Sequence, residues 1–276
     1  MYSFAGGRAN FVARPPAFMP SISMTTPKIP KSHLSIYDII GAVADVQTSY
    51  TDNYKALESN YHWKAVDARL QVFFQCFEVA GNARLSIALL ACAKGNGLDT
   101  KEWWGKWASY DQNRAFNRWP HFKTFVDDKS RQFIHRVQEQ LLVSIQIYIE
   151  SFLRSLARQF SIDPKEFWKL KSDFLQAILG LTTDELVPLT VYQHLRNSLH
   201  NKGVHHNAKY PDLTFDIGGF RFCFRHGQPA MISWEHIREL QIANSNLLLK
   251  ICEHSNVNCL RPIDAPNIVV LTDDPD

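Results

Sequence analysis

Apolar residues recur at three- and four-residue steps along most of the chain, the spacing that gathers side chains on one face of a helix. The pattern begins near Ser35 and continues through Leu57. A longer one covers 63–94, with Val66, Leu70, Phe73, Phe74, Phe77, Ala80, Leu85, Ala88 and Leu89 in apolar positions, and Gly95-Asn96-Gly97 stops it. Thr100 is placed to cap a short helix containing Trp103, Trp104 and Trp107. The strongest periodicity runs over 122–160, through Phe133, Val137, Leu141, Ile145, Tyr148, Phe152, Leu153 and Leu156. Asp163 is expected to cap the next helix, with Pro164 in its first turn, Glu166 closing a capping box, and an end at Gly180. Thr182 and Glu185 repeat that signature and open the helix that bears Arg196 and His200.

Beyond Pro211 the period changes from about three and a half to two. Leu213 to Ile217 and Phe220 to Arg225 alternate around Gly218-Gly219, which reads as two strands joined by a diglycine turn. The stretch 228–232 can add a short third strand, and Ser233 caps a final helix. The fold class is therefore mainly α: an antiparallel helical bundle with a small β hairpin, at about 213–232, inserted before the C-terminal helix. Residues 1–32, rich in Pro, Gly, Ser and Thr, form a flexible N-terminal arm; 33–119 form an N-terminal helical region; 120–262 form a helical domain carrying the hairpin; 263–276 form an extended tail.

Composition narrows the class without deciding it. Of 276 residues, 45% are hydrophobic and 21% charged, enough apolar material for a full core. A formal charge of +3 excludes a histone-like polycation but leaves room for a local phosphate-binding patch. The five cysteines are odd in number and lack C-x-x-C spacing, which fits reduced thiols and a cytoplasmic setting. The first twenty residues lack the continuous apolar stretch of a secretory signal, and no run of eighteen apolar residues predicts a membrane span. Between 109 and 120, Arg114, Arg118 and Trp119 can stack on bases or anchor a loop on the core. Lys101, Lys106 and Lys123 extend the same positive bias, which serves a phosphate backbone or simply a solvated face.

The most pointed segment is Arg196-Asn197-Ser198-Leu199-His200-Asn201-Lys202-Gly203, followed by His205 and His206. On a helix, Arg196 and His200 stack one turn apart, Asn197 and Asn201 form a parallel row, and Gly203 ends the helix. Leu195 and Leu199 turn one face inward, and the two amides can orient the charged pair by hydrogen bonds. A cation beside a titratable base suits phosphodiester chemistry. Polar residues and positive charge are also ordinary at a helix C-terminus, where the dipole favours them.

This segment, from His194 to Gly203, resembles the arginine–asparagine–histidine signature of the HEPN superfamily. Ile147-Tyr148-Ile149-Glu150-Ser151-Phe152-Leu153-Arg154 is similar to an earlier HEPN helix that places polar groups near the site. The resemblance covers roughly 120–255. Three residues separate Arg196 from His200, where the family pattern has four to six. The resemblance implies a helical bundle that dimerises, so that two motifs meet in one cleft, and a metal-independent RNA endonuclease in a toxin–antitoxin or phage-defence setting. RNA is then the substrate, with a homodimer and an antitoxin or other protein as partners. Histidine, with an unperturbed pKa near neutrality, takes the proton of a ribose 2′-hydroxyl, whose oxygen attacks the adjacent phosphorus. Arginine faces the charge that builds on the phosphoryl oxygens. The products are a 2′,3′-cyclic phosphate and a 5′-hydroxyl. Arg196 and His200 take these roles, and Asn197, Asn201, His205, His206, Glu150 and Arg154 support them.

Other chemistries are less well served. His200, His205 and His206 lack an acidic or thiol partner at metal-ligand spacing, so no metal is expected. No phosphate-binding loop, dinucleotide fingerprint or nucleophile elbow is present, and no cofactor is expected. The rival class is a non-catalytic module that uses the same basic cleft to hold RNA, a nucleotide or a protein.

Overall fold

The structure, a computed structural model, describes residues 28, 30, 34–100, 102–103, 122–163, 165–201, 203–206 and 212–265. The expected N-terminal arm apart from Lys28 and Pro30, the aromatic and basic stretch 109–120 and most of the tail lie outside the described residues.

Helix α1 (Ile36–Tyr61) opens on a reciprocal capping box in which Ser35 and Asp38 each accept from the other's backbone N–H. Helix α2 (Ala68–Gly95) is capped by Asp67, and α3 (Phe122–Gln159) is the long helix that the periodicity predicts. A single turn, α4 (Phe167–Lys169), continues as a π-helical stretch, Leu170–Gln176. Helix α5 (Val187–His200) carries the polar motif; strands β1 (Asp212–Ile217) and β2 (Phe220–Arg225) precede α6 (Trp234–Glu253) and the short α7 (Ser255–Asn258).

Helices adjacent in sequence pack as up–down neighbours. Gln47 of α1 meets Arg84 of α2 while Tyr50 meets Phe73, so the two run in opposite directions. The partnership of α1 with α6 is different. Asp45 meets Arg238, Tyr50 meets Gln241 and Asn53 meets Ser245, so the two helices advance side by side in the same direction. Their shared seam is mostly apolar but includes a buried polar chain: the Tyr50 hydroxyl donates to Gln241 Oε1 at 3.1 Å, Gln241 Nε2 to the Tyr192 oxygen at 3.0 Å, and Tyr192 in turn to the carbonyl of Leu142. Burial pushes both tyrosine hydroxyls above their usual range, so they stay neutral donors. This chain ties α1, α6, α5 and α3 together and sets the rotation of α5.

A second buried feature closes the other end. Arg69 and Asp67 are each 1% exposed and form a bidentate pair at 2.7 and 2.8 Å. The guanidinium also donates to the carbonyl of Val257 at 2.8 Å and lies 3.9 Å from the Trp63 ring. Asp67 pairs with Asp264 in a β-bridge, so the pair clamps the segment after α7 onto the start of α2.

Several expectations are corrected. Asp163 does not cap the helix after α3; its carboxylate accepts from Arg158 instead, and α4 starts at Phe167 without a side-chain cap. The π spacing runs to Gln176, with Ala177 N–H donating to the Ser172 carbonyl, and Gly180, at φ +64°, ends the helix as expected, its N–H donating to Gln176 O and that of Leu181 to Leu175 O, both at 3.0 Å. The Thr182–Glu185 box forms, but it closes a turn ahead of α5, whose first turn holds Pro188. Residues 228–232 form no third strand; Pro229 lacks an N–H and makes a single bridge to Val204. Phe74, Leu85 and Leu89 of α2, and Val66 ahead of it, apolar positions of the predicted pattern, are exposed; the buried face of α2 is turned to α1 and α3. Helix α2 is long and apolar enough to cross a membrane by length and composition, with a mean hydropathy of 1.3 in its most apolar window. Here it packs between α1 and α3 and begins at a buried ion pair.

Candidate functional site

Helix α5 owes its orientation to Leu189, Tyr192 and Leu195, which are buried, and to the tyrosine hydroxyl bonded across to α3. Arg196 follows Tyr192 by one turn and therefore emerges beside α3. There it meets Glu150, with Nη1 3.3 Å from Oε2. The other carboxylate oxygen of Glu150 accepts from Arg154 at 2.6 and 3.1 Å, and Arg154 also donates to the carbonyl of Lys165 at 3.3 Å. Glu150 thus bridges two guanidinium groups. At 17% exposure it is largely shielded, while Arg196 is 44% exposed and open to solvent on its far side.

His200 is the last residue of α5 and is exposed. It stands one turn beyond Arg196 on the same face of the helix. Asn201 caps the helix with its backbone N–H, which donates to Asn197 O at 3.2 Å. Gly203, at φ +84°, returns the chain, and its N–H donates to Ser198 O at 2.8 Å. The side chains of Asn197 and Asn201 are exposed and make no hydrogen bond to Arg196 or His200 among the described residues. The orienting group for Arg196 is the carboxylate of α3, and the amides do not take the role expected of them.

The structure separates the remaining histidines. His205 is buried, its ring 5.5 Å from that of His194 and 5.4 Å from Phe224. It belongs to an aromatic cluster, with His194, Phe215 and Phe224, that fastens the hairpin to α5. His206 is exposed, 5.5 Å from the ring of His226. His200, His205 and His206 therefore do not converge on one point. Within the cluster, burial first, then the nearby His205 and Lys171, push His194 down to about 4. Lys171 is itself lowered to about 8 by burial, and its ammonium donates to Thr190 Oγ1 at 3.1 Å.

Arg196, Glu150, Arg154 and His200 are thus brought to one end of α5, whereas His205 and His206 lie on the hairpin side. Of the positive residues noted between 101 and 123, Lys123 is described, 3.9 Å from Asp99; Lys101, Lys106, Arg114 and Arg118 lie outside the described residues. Two further cations, Arg221 and Arg225, share the outer face of β2, a placement that the strict alternation of that strand encodes. Comparison with family models, with curated proteins and with solved structures returned no match.

Proposed function

We propose that this chain is a metal-independent RNA endonuclease of HEPN type, acting as a homodimer in the cytoplasm, in a toxin–antitoxin or phage-defence setting. The observation that carries the reading is the placement of Arg196: half exposed, held from behind by Glu150, and one turn from an exposed His200. A guanidinium fixed on one side and open on the other is preorganised to face charge developing on a phosphoryl oxygen. The histidine supplies the mobile proton, taking it from the 2′-hydroxyl and returning one to the 5′-oxygen that leaves. The phosphorus–5′-oxygen bond breaks as the bond from the 2′-oxygen forms, leaving cyclic phosphate and 5′-hydroxyl ends. No oxidant, reductant or further reactant is needed.

A second reading has its own support. The Arg196–His200 spacing is shorter than the family pattern, and Glu150 offsets part of the arginine's charge. Both features suit a non-catalytic module that holds RNA, a nucleotide or a protein partner.

Cleavage of labelled single-stranded RNA and tRNA in EDTA separates the two. The nuclease reading predicts cleavage that falls about 10²–10⁴-fold in His200→Ala and about 10²–10³-fold in Arg196→Ala. Intact RNA with the wild-type dimer favours the binding module. Cleavage undiminished in both variants places the active site elsewhere.

A further inference from the structure

The outer face of the hairpin carries a second concentration of positive charge. In β2 the side chains of Phe220, Phe222 and Phe224 are buried, which turns Arg221, Cys223 and Arg225 outward on the opposite face. At 3.3 Å per residue the two arginines are anchored about 13 Å apart. Lys28 joins them from the segment ahead of α1. Its backbone N–H donates to the carbonyl of Gly219 at 2.7 Å, and its ammonium donates to Gly218 O at 2.9 Å beside the Phe220 ring. Gly219 makes this approach possible: a Cβ there would sit 3.1 Å from the lysine stem, at φ +86°.

These three cations line an open groove of about 470 Å³, whose remaining wall includes Pro229 and Met231. Met231 is 83% exposed. Arg221 is partnered by Asp216 at 3.1 Å. Arg225 has no ion-pair or side-chain hydrogen-bond partner among the described residues. Cations spaced along a strand, with an apolar wall beside them, match a chain of phosphates bearing flat apolar bases.

The groove is also joined to the motif. Backbone bonds stitch the loop after His200 to the segment that forms the groove wall: His205 N to Gln228 O at 2.9 Å, Gly227 N to His205 O at 2.8 Å, and Ala230 N to Gly203 O at 2.9 Å. His206 and His226, their rings 5.5 Å apart, belong to the same stitched region.

We propose that the groove formed by Lys28, Arg221 and Arg225 binds the phosphate backbone of single-stranded RNA, holding the strand whose scissile bond lies at Arg196 and His200. This rests on the nuclease reading for the second half of the statement only; RNA binding by the groove stands or falls separately.

The test is binding of a labelled single-stranded RNA oligomer to the full chain, by fluorescence anisotropy over a salt series, with RNA cleavage recorded in parallel. Arg225→Glu and the double variant Arg221→Gln with Arg225→Gln are compared with wild type, each with a thermal melt. Both weaken binding about tenfold or more, and loss of two phosphate contacts lowers the slope of log K against log salt by about 1.4. Unchanged affinity and slope in both groove variants overturn the proposal, whatever happens to cleavage. Groove-dependent binding without cleavage by the wild type keeps the groove and removes the nuclease reading.

Discussion

At the scale of single residues, the chemistry of the motif depends on which neighbour each polar group finds. Arg196 and Asn197 look equivalent in a sequence, as two polar residues near a helix end. In the fold, only Arg196 faces α3, where Glu150 waits, and Asn197 projects to solvent. The exposure of Arg196 and His200 was legible, because Leu195 and Leu199 mark the inward side. The burial of His205 was not, since nothing local distinguishes it from His206; the phenylalanines of a hairpin ten and more residues later make the difference. His194 shows what such burial does to a base. Held at about 4 by its apolar surroundings, with His205 and Lys171 nearby, it folds in the neutral form, whereas in the unfolded chain it titrates near 6.5. The unfolded state therefore binds more protons between these values, and stability falls as pH drops through that window. At about 1.36 kcal/mol per pKa unit, the loss between pH 7 and 4.5 is about 2–3 kcal/mol. Urea unfolding at the two pH values measures it. His194→Phe removes that part of the acid sensitivity; an unaltered pH dependence in the variant contradicts the assignment.

At the scale of elements, the hairpin and the caps were the readable parts, because each is specified by residues that touch. Alternation together with Gly218-Gly219, both in the left-handed region, determines two strands and their turn. Ser233 opens α6 as expected, with His236 as its reciprocal partner in place of the usual acid. The π-helical stretch left no trace in the pattern: a shift from four- to five-residue bonds moves side chains by a fraction of a turn, and Leu170, Phe174 and Leu175 remain buried either way. The same limit hides the clamp at α2. An arginine at a helix start reads as surface, yet Arg69 is buried because its acceptors arrive from carbonyls nearly 190 residues later. Breaking one partner of a buried ion pair leaves the other uncompensated, at a cost of about 3–5 kcal/mol. Arg69→Ala is thus expected to destabilise the fold by that amount in denaturant titration, whereas Arg69→Met, which keeps apolar volume over Trp63, combined with Asp67→Asn, recovers part of it. A loss under 1 kcal/mol in Arg69→Ala contradicts the clamp.

At the scale of the whole molecule, α1 and α6 form the frame, running in one direction with a hydrogen-bonded seam, while α2 and α3 complete the bundle and α5 lies against it under the hairpin. The buried chain from Tyr50 through Gln241 and Tyr192 to Leu142 links the frame to the helix bearing the motif. One end of α5 thereby presents Arg196 and His200, and the loop beyond it leads into the basic groove of β2. The mainly α class with its late hairpin could be read from periodicity alone. The parallel seam could not, because it depends on which distant faces meet. The central claim concerns the 2′-hydroxyl, and the most direct measurement is made on two RNAs of one sequence, one unmodified and one 2′-O-methylated throughout, incubated with the wild-type chain in EDTA. The account predicts cleavage of the unmodified RNA to 2′,3′-cyclic phosphate and 5′-hydroxyl ends and none of the methylated one. Cleavage of both, or products bearing 5′-phosphate, would contradict it.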